Sequence, residues 1–143
     1  MRGPLVDTSV AVDHLKGNED TGRILSDLLA EESHVFMSVL AKIEVYAGTK
    51  GAESEAVRRF LELFVSVPVD DDVAELAGKL AWKYRKSSPE LGIVDFTIAA
   101  QAIHGDFALV TLSPGRYPML QSTVHPKNGW GISTLEGSSA QEV

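Results

Sequence analysis

Three acidic side chains, Asp7, Glu44 and Asp95, stand where the surrounding residues do not favour a solvated charge. Asp7 ends a short apolar run, Glu44 interrupts the apolar stripe of a helical segment, and Asp95 heads a segment that is apolar nearly all round. Because an isolated charge is costly to bury, acids in such places are expected to have a compensating partner. A divalent cation is one such partner, since Mg²⁺ and Mn²⁺ prefer oxygen ligands.

A group of acids without a histidine or cysteine ligand suits metal-assisted phosphoryl hydrolysis, in which a cation activates water and offsets charge on the phosphate. Each acid also has another interpretation. Asp7 precedes two hydroxyl residues and a helix start, as a capping residue does. Glu44 can lie at a helix edge in solvent, and Asp95 can be a first-turn acid. Spacing alone does not show convergence, since the acids are 37 and 51 residues apart.

The composition is that of a globular chain of 143 residues, which suits one domain. No apolar run approaches the ~20 residues of a membrane span, so no membrane partner is expected. Zero cysteines exclude a disulfide framework and thiol catalysis, and no secretory signal precedes Asp7, which favours the cytoplasm. The net charge of −7 argues against a broad basic face for nucleic acid. It does not exclude a nuclease, because bound cations reverse the local field at a carboxylate site.

Helical and strand-like patterns alternate along the chain and predict an α/β fold. Strands are predicted at the run before Asp7 and at residues 34–38, 65–69 and 107–112. Pro68 places the strand at 65–69 at an edge of the sheet, or else marks the end of that strand. Apolar residues at helical spacing predict a short helix after Asp7 and further helices at 21–32, 39–48, 53–64, 70–84 and 93–105. Strands separated by helices form right-handed crossovers, so we expect a mainly parallel sheet covered on both sides.

Sites in such folds form beyond the carboxyl ends of strands, and Asp7 would lie at one of these ends. The acidic triplet Asp70–Asp72 is interpreted as helix capping, because the start of a helix explains all three residues. We expect a single domain over residues 1–135, including a last strand or extended segment at Gly129–Thr134, and a flexible tail over residues 136–143.

Three segments occur in order along the chain: VDTSV near the N-terminus, the central IEVYAG, and GIVDFTIAAQAIHG followed by ALVTL. They resemble the signature regions of PIN-domain ribonucleases, and most nearly those of VapC-type toxins of toxin–antitoxin pairs. The resemblance covers Leu5–Leu120, nearly the whole chain. It implies a three-layer α/β/α domain with a mainly parallel central sheet of about four to five strands.

The resemblance puts Asp7, Glu44 and Asp95 in metal-binding acidic positions, and Ser9 or Thr8 in the position of a hydroxyl that supports the first acid. It implies a metal-dependent endoribonuclease that cleaves single-stranded RNA with Mg²⁺, for which Mn²⁺ substitutes. It also implies a cognate VapB-type antitoxin in the active-site groove and a homodimer.

One segment, TLSPGRYPML at Thr111–Leu120, departs from the family pattern. Ser113 stands where asparagine is common, and it keeps a hydroxyl that can orient water or phosphate, so it is a candidate catalytic residue. Arg116 stands where a fourth acid or a histidine is expected; it either contacts RNA phosphate or lies in a solvated loop. The missing acid argues for at most one tightly held metal ion without substrate. It also leaves an alternative open, a weak or inactive PIN-like module that binds RNA or antitoxin without cleavage.

Overall fold

The computed structural model describes residues 2–49, 54–120 and 123–124. These ranges contain four strands: β1 Gly3–Val6, β2 Phe36–Ser38, β3 Val65–Val67 and β4 Phe107–Val110. They also contain six α-helices: α1 Thr8–Leu15, α2 Glu19–Glu31, α3 Val39–Ala47, α4 Ser54–Leu61, α5 Asp71–Tyr84 and α6 Ile93–His104. A single 3₁₀ turn, Pro114–Arg116, follows β4. The expected strand at 129–134 and the expected tail at 136–143 lie outside the described residues.

The four strands form one sheet in the order β3-β2-β1-β4, and every pair is parallel. Val124 adds a parallel bridge to Val110 on β4, where a fifth strand would pair. Helices flank the sheet, so the predicted α/β fold with a mainly parallel sheet of four to five strands is confirmed. Because all strands run the same way, their carboxyl ends share one edge of the sheet.

The helices predicted by apolar spacing pack their apolar stripes into the core. Leu25 and Leu28 of α2 are buried, as is the stripe of α5 that includes Leu80. Helix α6 buries every residue from Asp95 to Ala102, as its nearly all-apolar sequence predicts. None of the helices in the described ranges is long and apolar enough to cross a membrane.

The prediction of which face of α3 is buried is wrong. Its buried residues are Ala41 and Val45, whereas Ile43 is 59% exposed and Glu44 is exposed. The segment is apolar on several sides, so helical periodicity allowed two stripes. Packing selects the face with the small Ala41 and the β-branched Val45. Glu44 therefore lies in solvent without the burial cost that the sequence predicted for it.

The short edge strand β3 is tied to two helices through side chains. Buried Gln101 of α6 donates from Nε2 to the backbone oxygens of Val67 and Pro68, each at 3.0 Å. Lys42 of α3 donates to the backbone oxygen of Phe64 at 2.9 Å. Partial burial lowers the pKa of Lys42. The edge position predicted from Pro68 is confirmed.

Two glycines provide a matched test of packing. A Cβ at Gly105, in the turn from α6 to β4, would lie 2.8 Å from Cδ2 of the buried Phe107 ring and 3.0 Å from the Gln101 carbonyl. A Cβ at Gly78, inside α5, would meet nothing within 4 Å. We expect Gly105→Ala to lower the free energy of unfolding by about 1–3 kcal/mol through overpacking. Gly78→Ala should raise it by about 0.5–1 kcal/mol through helix propensity.

Urea unfolding followed by circular dichroism measures both glycine variants. The packing described around the α6–β4 turn is contradicted if Gly105→Ala is as stable as the unchanged chain.

Candidate active site

A cleft of about 230 Å³ lies beside the residues that follow β1 and β4. All five candidate site residues from the sequence line it: Asp7, Ser9, Glu44, Asp95 and Ser113. They come from the end of β1, from α1, from α3, from the first turn of α6 and from the segment after β4. The fold thus brings the predicted residues to one place, at the edge of the sheet where sites of parallel α/β folds form.

The pairing of β1 with β4 places Asp7. Val6 lies opposite Val110, so Asp7 and Thr111 are the next two residues beyond the paired strands. The Asp7 N–H donates to the Val110 oxygen at 2.9 Å and extends the pairing by one residue. This register brings the Thr111 hydroxyl to the Asp7 carboxylate, where it donates to Oδ2 at 2.7 Å.

Asp7 is 4% exposed and receives two further hydrogen bonds from hydroxyl groups. Ser9 Oγ donates to Oδ2 at 2.9 Å, and the Tyr117 hydroxyl donates to Oδ1 at 2.8 Å. These bonds with that of Thr111 compensate the burial of a carboxylate that has no basic side chain against it among the described residues. Asp7 occupies the N-cap position of α1, but its side chain caps no helix N–H. The capping interpretation of its carboxylate is therefore wrong.

The backbone after β4 fixes two of these hydroxyls. The N–H of Leu112 donates to Ser9 Oγ at 3.0 Å, and the N–H of Ser113 donates to Thr111 Oγ1 at 2.9 Å. Each hydroxyl accepts from the backbone and donates its own proton to Asp7. Such chains of hydrogen bonds polarise one another, so the carboxylate is held in one orientation.

Tyr117 is a site residue that the sequence interpretation did not select. Its side chain is buried, and burial raises the pKa of its phenol, which the negative charge of Asp7 raises further. The phenol therefore keeps its proton and acts as a donor to Asp7. The sequence carries no clear signal for this role, because Tyr117 lies seven residues after β4 ends and reaches Asp7 only where the chain turns back.

Glu44 lies at the open side of the cleft. It is exposed, and its Oε1 accepts from the Thr8 hydroxyl at 2.9 Å. Of the two hydroxyls that the sequence left open as supports for the first acid, Ser9 contacts Asp7 and Thr8 contacts Glu44. The adjacent hydroxyls at the start of α1 thus serve different carboxylates.

Asp95 combines a helix-start role with a place in the cleft. Its Oδ2 accepts from the Gly92 N–H at 3.0 Å, which satisfies a backbone donor at the start of α6. Its Oδ1 accepts from Arg116 Nη1 at 3.3 Å, and its side chain is 9% exposed. The first-turn interpretation is confirmed, and it is compatible with a functional one because each oxygen has a different partner.

The donor set of the cleft fits a hard divalent cation. Its three carboxylates and the Ser113 hydroxyl are all oxygen donors, and no histidine is among the described lining residues. Three carboxylates and the Arg116 guanidinium give the lining a net charge of −2, which a cation would offset. The residues that would hold it are Asp7, Glu44 and Asp95, as the sequence predicts; that role stays a prediction.

A second acidic group lies elsewhere. Within the part of the chain that the structure describes, the one group of three acidic or histidine side chains with ligand atoms all within 4.8 Å of one another is Asp70, Asp72 and His104. All three are exposed, and Asp70 caps α5 by accepting from the Val73 N–H at 2.9 Å. The capping role predicted for the start of this helix is confirmed for Asp70. The cleft carboxylates are spread more widely than this surface group.

The PIN-domain family model matches residues 5–112. The match includes Asp7, Glu44 and Asp95, and it ends before Ser113, Arg116 and Tyr117. The match therefore covers the three acids and strands β2, β3 and β4, while the segment that supplies the Tyr117 hydrogen bond lies beyond it.

Two curated relatives come from Mycobacterium tuberculosis. Ribonuclease VapC19 is 34% identical over 122 residues, which cover 85% of this chain and 98% of that protein. Ribonuclease VapC10 is 31% identical over 122 residues, covering 85% of this chain and 91% of that protein. A solved toxin–antitoxin complex from Klebsiella pneumoniae contains a chain with a TM-score of 0.72 and 23% identity, covering 86% of this chain and 97% of that one. This structural likeness shows a shared fold.

Replacing Tyr117 tests the hydrogen bonds that hold Asp7. Tyr117→Phe removes one of three donors to a buried carboxylate, and a hydrogen bond to a charged group contributes about 1.5–3 kcal/mol. We expect a loss of that size in the free energy of unfolding, measured with urea in the presence of a chelator. Tyr46→Phe, at a residue 44% exposed on α3, is the control and should change it by less than ~0.5 kcal/mol. Equal stability of the two variants would contradict the role assigned to Tyr117.

Proposed function

The chain belongs to the PIN-domain family, and from that premise we propose that it is a metal-dependent endoribonuclease, the toxin component of a toxin–antitoxin pair. The convergence of Asp7, Glu44 and Asp95 on one cleft carries this proposal. Two relatives with 34% and 31% identity over 85% of this chain bear the name ribonuclease, which supports the choice of RNA as substrate.

In the proposed reaction, Asp7, Glu44 and Asp95 would hold Mg²⁺, for which Mn²⁺ would substitute. When bound there, the cation would supply an activated water and would offset charge on the phosphate of the cut bond. Asp7 contributes a carboxylate whose orientation is set before substrate arrives, by the hydroxyls of Ser9, Thr111 and Tyr117. Preorganisation of this kind avoids reorientation of the ligand during the reaction.

The side chains of Glu44 and Ser113 are held by fewer hydrogen bonds than that of Asp7. Glu44 is exposed at the cleft and has one hydroxyl partner, Thr8, so its carboxylate can adjust to the bound cation. The Ser113 hydroxyl makes no hydrogen bond within the described residues, while its backbone N–H is used by Thr111. That hydroxyl is therefore available to orient water or a phosphate oxygen.

The proposed partners are single-stranded RNA, a VapB-type antitoxin and a second copy of the chain, in the cytoplasm. An apolar groove of about 510 Å³ joins the cleft through Val12 and Glu44 and supports the antitoxin proposal. Its lining includes Val45, Val57 and the 40% exposed Leu15. An apolar antitoxin segment laid along this groove would block access to the acids beside it.

Cleavage of single-stranded RNA tests the proposed activity. The unchanged chain should cut RNA in the presence of Mg²⁺ or Mn²⁺, and this cleavage should stop when a chelator is added. Replacement of a residue that only supports a metal ligand lowers activity by roughly 10–100-fold. Because Asp7 is proposed as a ligand itself, Asp7→Asn should lower the cleavage rate by more than this. Asp72→Asn, which makes the same charge change in the exposed surface group, is the control and should cut normally.

The alternative, a PIN-like module that binds without cutting, has one observation in its favour, the pairing of Arg116 with Asp95 where a fourth acid was expected. It gains support if the unchanged chain cuts no RNA with either metal and Asp7→Asn binds RNA equally well.

Metal binding provides an independent measurement. Isothermal titration of Mn²⁺ in the absence of RNA should give about one ion per chain, because the described cleft has three acids and no fourth. Asp95→Asn should weaken this binding by about 10-fold or more, and Asp72→Asn should leave it unchanged. If Asp72→Asn loses Mn²⁺ binding and Asp95→Asn does not, the metal binds at the surface group of Asp70, Asp72 and His104, and the proposed site is contradicted.

A further inference from the structure

We propose that Arg116 binds a phosphate group of single-stranded RNA beside the acidic site, as a fixed positive charge within the cleft. The inference rests on the proposed function and assigns a substrate-binding role to a residue beyond the family match. Among the described lining residues of the cleft, Arg116 is the one basic side chain. An anionic backbone that enters a lining of net charge −2 therefore meets one fixed attractive group.

The backbone around Arg116 is fixed with respect to the acids. Arg116 ends the 3₁₀ turn that starts at Pro114, and its N–H donates to the Ser113 oxygen at 3.0 Å. The next residue, Tyr117, is buried and hydrogen bonded to Asp7 at 2.8 Å. The guanidinium is thus attached to a segment that the first acid holds in place.

The guanidinium itself is available for a ligand. Its side chain is 62% exposed, and its one hydrogen bond within the described residues joins Nη1 to Asp95 Oδ1 at 3.3 Å. At 3.3 Å this hydrogen bond is longer than is usual for N–H···O, and Asp95 also accepts from the Gly92 N–H at 3.0 Å. A change of partner at Arg116 therefore does not leave Asp95 without a donor. Arginine carries five N–H donors in a planar fork, and most of them remain free for a phosphate here.

A phosphate is the ligand that this arrangement favours. The fork of arginine matches two phosphate oxygens at once, and it stays charged throughout the physiological pH range. The proposed reaction brings a phosphodiester to the acids of the same cleft, within reach of Arg116 through its contact with Asp95. Arg116 then holds the RNA backbone in register with the acids.

The contact between Arg116 and Asp95 predicts that removal of Arg116 has opposite effects on metal binding and on RNA binding. Arg116 shares Asp95 with the proposed metal, so its removal frees Oδ1 and favours the cation. Its removal also deletes a phosphate contact and disfavours RNA. A merely structural defect would weaken both, because both depend on the same folded cleft.

The test measures the binding of a fluorescent single-stranded RNA in an Asp7→Asn background, in Mg²⁺, over a range of NaCl concentrations. Arg116→Gln should weaken binding by about 10-fold and reduce the slope of log K against log salt by about 0.7, as for one lost phosphate contact on a single strand. Arg116→Lys keeps the charge and should keep the slope. Arg23→Gln is the matched control, since Arg23 is 67% exposed and paired with Asp20, and should change neither quantity.

Titration of Mn²⁺ into the otherwise unchanged chain is the second readout, and Arg116→Gln should bind it several-fold more tightly. The inference is overturned if Arg116→Gln matches Arg23→Gln in RNA affinity and salt slope, even where cleavage by the unchanged chain supports the proposed nuclease. If the slope falls as expected but the unchanged chain cuts no RNA, the phosphate contact stands and the proposed cleavage fails.

Discussion

The burial of one carboxylate at the end of the first strand constrains most of the site. Asp7 is 4% exposed, and its charge is stabilised by hydroxyl donors from α1, from the residue after β4 and from the segment beyond. Those donors meet only if β1 and β4 pair in the observed register and the chain turns back after Thr111. The core packing that sets this register thereby also sets the geometry of the cleft.

The three acids reach the cleft under different constraints. Asp7 is immobilised by three hydroxyls, Asp95 divides its oxygens between a helix start and Arg116, and Glu44 is exposed with one hydroxyl partner. A cation bound among them would have one rigid ligand and one adaptable ligand. Such a combination would suit the proposed function, in which RNA and the cation share the same space.

The charge of the cleft bears on how an acidic chain would act on RNA, an acidic polymer, in the proposed function. The chain carries −7 and the lining carries −2, so long-range electrostatics oppose RNA binding. The proposed cation and Arg116 reverse this locally, at the phosphate. A VapB-type antitoxin with an apolar segment would not meet this barrier in the neighbouring groove, whose lining includes Val12, Val45 and Val57.

The sequence by itself determined the order of helices and strands, the parallel sheet and the edge position of the third strand, because periodicity and element ends are local properties. It also singled out the three acids that the fold brings to one cleft. It did not determine the buried face of α3, since a segment apolar on several sides offers more than one stripe. Only the tertiary structure decided that Asp7 is held by Thr111 and Tyr117, 104 and 110 residues away. Contacts of that kind follow from strand register and chain reversal, which depend on the packing of the whole domain.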